Sequence, residues 1–94
     1  MITKEELKKG LDLISDNFIE ERFYKASISE DSVCLQGTYS KDDYEVFISK
    51  GFIVNKFDFG NKMISLKNGI AEIVMFFRMS IEDLFKLKNE MKWN

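Results

Sequence analysis

Both ends of the chain carry helix-start signals, and the residues between them mostly alternate apolar with polar side chains. Residues 3–6, Thr-Lys-Glu-Glu, form a capping box, in which the hydroxyl and the last carboxylate satisfy free N–H groups of a helix start. Residues 80–83, Ser-Ile-Glu-Asp, repeat this design with Asp in the last position. Because alternation is typical of half-buried strands, the chain is predicted to form a helix, a sheet and a closing helix.

The length of 94 residues is enough for one hydrophobic core, so we expect a single α+β domain over residues 1–94. Apolar residues at helical spacing place the N-terminal helix at about residues 3–17 and the C-terminal helix at about residues 81–92. Between them, the alternation predicts an antiparallel meander sheet of five or six strands.

Residues 40–51 fit two structures. As a strand, Tyr44, Val46 and Ile48 would share one face. As a helix, Ser40 would cap the start and Gly51 would end it in a left-handed conformation. The run of β-formers around Val46 favours the strand, and a short helix over residues 41–50 is the alternative.

The dipeptide Asn68-Gly69 is a strong hairpin signal and predicts a register that places Leu66 opposite Ala71. Side chains that alternate along this hairpin form the predicted core face: Ile64, Leu66, Ala71, Ile73, Met75 and Phe77.

The second face of the same hairpin is the first candidate functional surface, because it is too apolar for a sheet face that meets water. It comprises Phe52, Val54, Met63, Ile70, Val74 and Phe76, where the first two depend on a tight turn at residues 60–61. If the two helices lie on opposite faces, they cover this surface. If both helices lie on one face, we expect the surface to bind a protein partner or to form a homodimer.

Carboxylates form a second candidate surface, and they are densest at Asp42, Asp43 and Glu45. A solvated surface explains most such clusters, and the functional alternative is an acidic patch that meets a basic protein. The spacing lacks the pattern of a calcium loop, so we expect no metal at these residues.

Composition argues against catalysis. The chain has no histidine, which removes the commonest general base and the usual zinc ligand. Cys34 is the only cysteine, so it forms no disulfide within the chain and has no histidine to activate it. We therefore expect a protein that is not an enzyme and that uses no cofactor.

No apolar run approaches the roughly 20 residues of a membrane span. The first residues alternate acidic and basic side chains where a signal peptide would be apolar. We expect a cytoplasmic protein that does not bind membranes.

These observations favour a non-enzymatic protein–protein interaction module, such as a small acidic inhibitor, an immunity protein or a chaperone-like protein. The net charge of −2 fits this class, and a composition rich in Lys, Ile, Phe and Asn is what an AT-rich bacterial or phage genome would encode. The alternative is a nucleic-acid-binding accessory protein that uses lysines among aromatic rings: Lys50, Lys56, Lys62 and Lys67 with Phe52, Phe57 and Phe59. Only two of the 14 basic residues are arginines, which disfavours nucleic acid as the partner.

Overall fold

The computed structural model describes residues 3–15 and 22–91, except for the side chains of Leu13, Ile14 and Met91. In chain order the elements are α1 (Lys4–Ser15), β1 (Phe23–Ile28), β2 (Val33–Thr38), α2 (Lys41–Ser49), β3 (Ile53–Asp58), β4 (Met63–Asn68), β5 (Ala71–Phe76) and α3 (Ile81–Met91). The predicted α+β class, with a helix before and a helix after the sheet, is confirmed.

The five strands form one sheet in the order β1-β2-β5-β4-β3. The pairs β1–β2, β3–β4 and β4–β5 are antiparallel, but the central strands β2 and β5 are parallel. The sheet is therefore mixed, and the predicted antiparallel meander is wrong beyond β3–β5. The cause is α2, which carries the chain from β2 to the far edge of the sheet. The chain then forms β3, β4 and β5 in turn, and β5 reaches β2 and pairs with it in parallel.

Both predicted helix starts carry their capping bonds. At α1, the Glu6 N–H donates to Oγ1 of Thr3 at 3.2 Å, and the Thr3 N–H donates to Oε1 of Glu6 at 3.3 Å. At α3, the Asp83 N–H donates to Oγ of Ser80 at 3.2 Å. These bonds satisfy backbone donors that have no partner within a helix.

Residues 41–49 form α2, so the preferred strand over residues 40–51 is wrong and the alternative helix is correct. Asp43 and Phe47, four residues apart, are buried, while Val46 and Ile48 are exposed. Phe47 contacts Phe23 and Phe52 at centroid distances of 6.1 and 5.2 Å. The burial of this one helical stripe outweighs the β-propensity of the individual residues.

All three helices cover the same face of the sheet. They contribute to one buried core: Phe23, Val33, Leu35, Phe47, Phe52, Ile64, Leu66, Ala71, Ile73, Met75, Phe77 and Leu84. Leu7 from α1 and Leu87 from α3 pack against this core. The face away from the helices therefore has no cover from any described helix. None of the described helices has the length and apolar character of a membrane-spanning helix.

Candidate functional surface

The β4–β5 hairpin turns one residue later than predicted. Asn68 pairs with Ala71, so Gly69 and Ile70 are the central turn residues, and Gly69 has φ +59°. Leu66 consequently lies opposite Ile73 instead of Ala71. The partner of each β4 residue is thus two residues further along β5 than predicted. Because side chains alternate with a period of two, each one stays on its predicted face, and the predicted core face is confirmed.

A β-bulge at Asn55 redirects the start of β3. Lys56 pairs with Ser65 but Val54 pairs with Leu66, so one extra residue separates the two pairs. The extra residue turns Val54 toward the helices, where it packs against the core. Without the bulge, Val54 would lie on the other face, as the sequence analysis assumed.

Three of the six predicted surface residues therefore belong to the helix-covered face, which corrects that prediction. Phe52 is buried beside Phe47, Val54 follows the bulge, and Ile70 leaves the strand alternation and packs against the core. The three others, Met63, Val74 and Phe76, lie on the face away from the helices and are half-buried.

We name this uncovered surface the open face. The pairing registers arrange it in three rows across the strands. The first row is Ser27, Cys34, Glu72, Lys67 and Ile53; the second is Lys25, Gln36, Val74, Ser65 and Lys56; the third is Thr38, Phe76, Met63 and Asp58.

An apolar strip lies in the middle of the open face. Val74 and Phe76 are two residues apart on β5, and Met63 lies directly opposite Phe76 on β4. Ile53, at the β3 edge, is 68% exposed. Covering such a strip with another apolar surface removes it from water, which lowers the free energy.

Charged side chains of both signs surround the strip. Lys67 lies directly opposite Glu72, and Glu72 Oε2 accepts a hydrogen bond of 2.8 Å from the buried Ser65 hydroxyl. Nζ of Lys56 lies 3.8 Å from Oδ2 of Asp58. These side chains can select and orient a charged partner surface.

Cys34 is part of the open face and has the wrong environment for a nucleophile. Burial raises the pKa of the Cys34 thiol, and the charge and hydrogen bond of Glu72 raise it further. A reactive cysteine needs a lowered pKa, because the thiolate is the attacking species.

The predicted acidic surface is divided by α2. Asp43 is 3% exposed and accepts two hydrogen bonds from Arg22, at 2.5 Å from Nε and 2.9 Å from Nη2. Its carboxylate is therefore part of a structural ion pair, which corrects its assignment to a partner surface. Asp42 and Glu45 are exposed, and Nζ of Lys41 lies 4.0 Å from Oε1 of Glu45.

A small cleft between α2 and α3 was missed by the sequence analysis, because it exists only when residues 41–49 are helical. Its volume is about 260 Å³, and it is lined by Tyr39, Lys41, Tyr44, Glu45, Leu87 and Glu90. Burial raises the pKa of Tyr39 to about 12, so its hydroxyl stays protonated at neutral pH. Most small-molecule sites are larger, at roughly 300–1,000 Å³.

Strand alternation places two lysines of the nucleic-acid hypothesis on the face opposite its aromatic rings. Lys56 and Lys67 lie on the open face. Phe57 and Phe59 pack against the core on the helix-covered side, where the Phe59 ring stacks on Phe85 at 4.3 Å. The lysine above these rings is Lys88, an α3 residue that the hypothesis did not include.

Comparisons of the chain with protein-family models, with curated proteins and with solved structures find no match.

Proposed function

We propose that the protein is a non-enzymatic protein-binding module that binds through its open face. The partner presents an apolar strip with charged side chains of both signs beside it. One observation carries the proposal: Met63, Val74 and Phe76 adjoin one another on a sheet face that no described helix covers. Contiguous apolar groups at a surface mark interaction sites more often than isolated ones do.

The dimensions of the open face support a protein as the ligand. Strands about 4.8 Å apart, with a rise of about 3.3 Å per residue, give the five six-residue strands a face of roughly 24 by 20 Å. A protein interface of standard size takes about 800 Å² from each partner, so this face supplies much of one. A flat surface does not enclose a small molecule in the way that a ligand pocket does.

The chemistry of the titratable groups supports binding over catalysis. The chain contains no histidine, and the thiol of Cys34 has a raised pKa. The buried carboxylate of Asp43 is taken by Arg22. A small acidic inhibitor, an immunity protein or a chaperone-like protein, cytoplasmic and of bacterial or phage origin, is the form of binding module that size and charge favour.

The test compares Phe76→Lys with the matched control Ile28→Lys. Ile28 is an exposed apolar strand residue, and it points to the same side of the sheet as its partner Val33, away from the open face. Immobilised wild-type and variant proteins are incubated with an extract of the source cells. Each retained protein is identified by mass spectrometry, purified, and titrated against all three chains.

We expect a partner that binds the wild type and Ile28→Lys equally and binds Phe76→Lys at least about tenfold more weakly, as for a central interface residue. If every retained protein binds Phe76→Lys as well as it binds the wild type, the open face is not the binding surface.

A further inference from the structure

We infer that the partner of the open face is a second copy of this chain, so that the two open faces pack against each other. A two-fold axis relates the two copies. It lies between the two sheets, runs parallel to the strands, and passes over the line midway between β4 and β5. The inference rests on the proposed protein-binding role of this face. The observation that supports it is the order of side chains along the three rows of the open face.

A two-fold axis in this position has a simple effect on the rows. It keeps each row against the same row of the second copy and reverses the order of the strands. Therefore β4 of one copy faces β5 of the other, and β2 faces β3. Two sheets that pack face to face lie about 10 Å apart and cross at about −30°, so contacts near the axis are the best aligned.

The first row becomes complementary in charge. Lys67 of each copy faces Glu72 of the other copy, and the two residues are already opposite each other within one sheet. The four side chains form a square in which every charge has neighbours of opposite sign. Such a square fixes the register, because a slip of one strand breaks the alternation.

The third row matches apolar with apolar groups, while in the second row Val74 faces the small side chain of Ser65, whose hydroxyl already donates to Glu72. In the third row Phe76 faces Met63 twice, and a thioether beside an aromatic ring is a favourable contact. At the flanks Thr38 faces Asp58, and Cys34 faces Ile53. This arrangement covers Ile53, the most exposed of the large apolar side chains of the described residues.

An axis along β5 itself gives a poorer match. It would place Glu72 against Glu72 and, at the flanks, Lys25 against Lys56. Like charges in direct opposition disfavour an interface. The sequence of charges along the rows therefore favours the axis between β4 and β5 over the axis along β5.

The test uses two charge reversals, Lys67→Glu and Glu72→Lys, and sedimentation equilibrium of each protein. The wild type is expected to be a dimer. Each single variant places four like charges at the axis, so we expect its dissociation constant to rise about tenfold or more. Lys41→Glu, which changes an exposed α2 charge outside the open face, is the matched control and should dimerise like the wild type.

A mixture of the two single variants gives the sharpest result. In a heterodimer, residues 67 and 72 are both acidic in one copy and both basic in the other, so opposite charges again face each other. We expect the mixture to sediment as heterodimers at a concentration at which each variant alone is mostly monomeric. Urea unfolding of each variant checks that it is folded, because Glu72→Lys removes the acceptor of the Ser65 hydroxyl.

The inference is overturned if the wild type stays monomeric up to about 100 μM, a concentration at which even an association of only about −5.5 kcal/mol would be detected. It is also overturned if the two folded variants do not associate on mixing. Either result leaves the proposed protein-binding function to the capture experiment with Phe76→Lys, which detects a different partner independently.

Discussion

At the scale of single residues, the ion pair of Arg22 and Asp43 joins the start of β1 to α2. Asp43 is almost fully buried, and both of its oxygens accept hydrogen bonds from the guanidinium group. A buried carboxylate without such a partner costs several kcal/mol. The pair therefore stabilises the position of α2 against the sheet.

We expect Asp43→Asn to lower the free energy of unfolding by about 1–3 kcal/mol, because the amide places donors against the guanidinium and loses a charge-assisted bond. The control Asp42→Asn changes an exposed neighbour and should alter stability by less than about 0.5 kcal/mol. Urea unfolding at neutral pH measures both, and equal effects would refute a structural role for the pair.

Ionisation of Tyr39 is expected to lower the free energy of unfolding at alkaline pH. Burial raises its pKa to about 12, above the unperturbed value of about 10. The folded protein thus keeps a proton that the unfolded chain releases, and this stabilisation is present below pH 10 and lost as the pH rises toward 12. Tyr39→Phe should lose less stability than the wild type between pH 9 and about 11.5.

The measurement is urea unfolding of both proteins at each pH, with Tyr24→Phe as the control because Tyr24 is exposed. Identical alkaline losses in wild type and Tyr39→Phe would show that Tyr39 does not contribute.

At the scale of elements, the sequence predicted what depends on local chemistry. The two capping boxes and the alternation on β4 and β5 correctly predicted the helix starts and the core face. The bulge at Asn55 and the helix over residues 41–49 could not be predicted in this way. The helix depends on contacts with distant residues, such as that of Phe47 with Phe23.

Three of the six residues of the predicted apolar surface lie on the open face, because their placement depends only on the local alternation along a strand. Met63, Val74 and Phe76 follow a register in which an error of two residues preserves the face. Val54 precedes the bulge at Asn55, which moves its side chain to the opposite face of the sheet. No sequence motif around Asn55 indicates that bulge.

Gly37 pairs with Phe23 across β1 and β2, and its surroundings leave no room for a side chain. A Cβ here would collide with the carbonyl oxygen of Arg22 and lie 2.5 Å from Cδ1 of Phe23. Since backbone atoms cannot move aside without breaking the pairing, Gly37→Ala should lower the free energy of unfolding by about 2 kcal/mol or more.

Gly10→Ala is the matched control for this substitution. Its Cβ would lie 3.1 Å from Cγ1 and 3.2 Å from Cδ1 of the half-buried Ile70 side chain, and the gain of about 1 kcal/mol in helix propensity offsets this contact. Thermal or urea unfolding compares the two variants, and a larger loss for Gly10→Ala than for Gly37→Ala would contradict the account.

At the scale of the whole molecule, three helices share one face of a five-stranded sheet, and the second face keeps an apolar strip. The sequence alone does not decide whether the helices divide between the faces, because an amphipathic helix pattern does not specify which side of a sheet it covers. One-sided covering gives a two-layer fold with a surface free for a third layer.

The most direct test of this account compares lysine substitutions at two adjacent residues of β5, Ile73 and Val74. Ile73 is fully buried under the helices, and Val74 lies in the middle of the open face. Each variant is examined by circular dichroism, urea unfolding and sedimentation. We expect Ile73→Lys to abolish folding, since the lysine charge has no partner in the core.

For Val74→Lys we expect cooperative unfolding, helix and strand content like those of the wild type, and a monomer where we infer a dimer for the wild type. If Val74→Lys fails to fold as Ile73→Lys does, the second face is covered. If it folds and assembles like the wild type, the open face is not the interface.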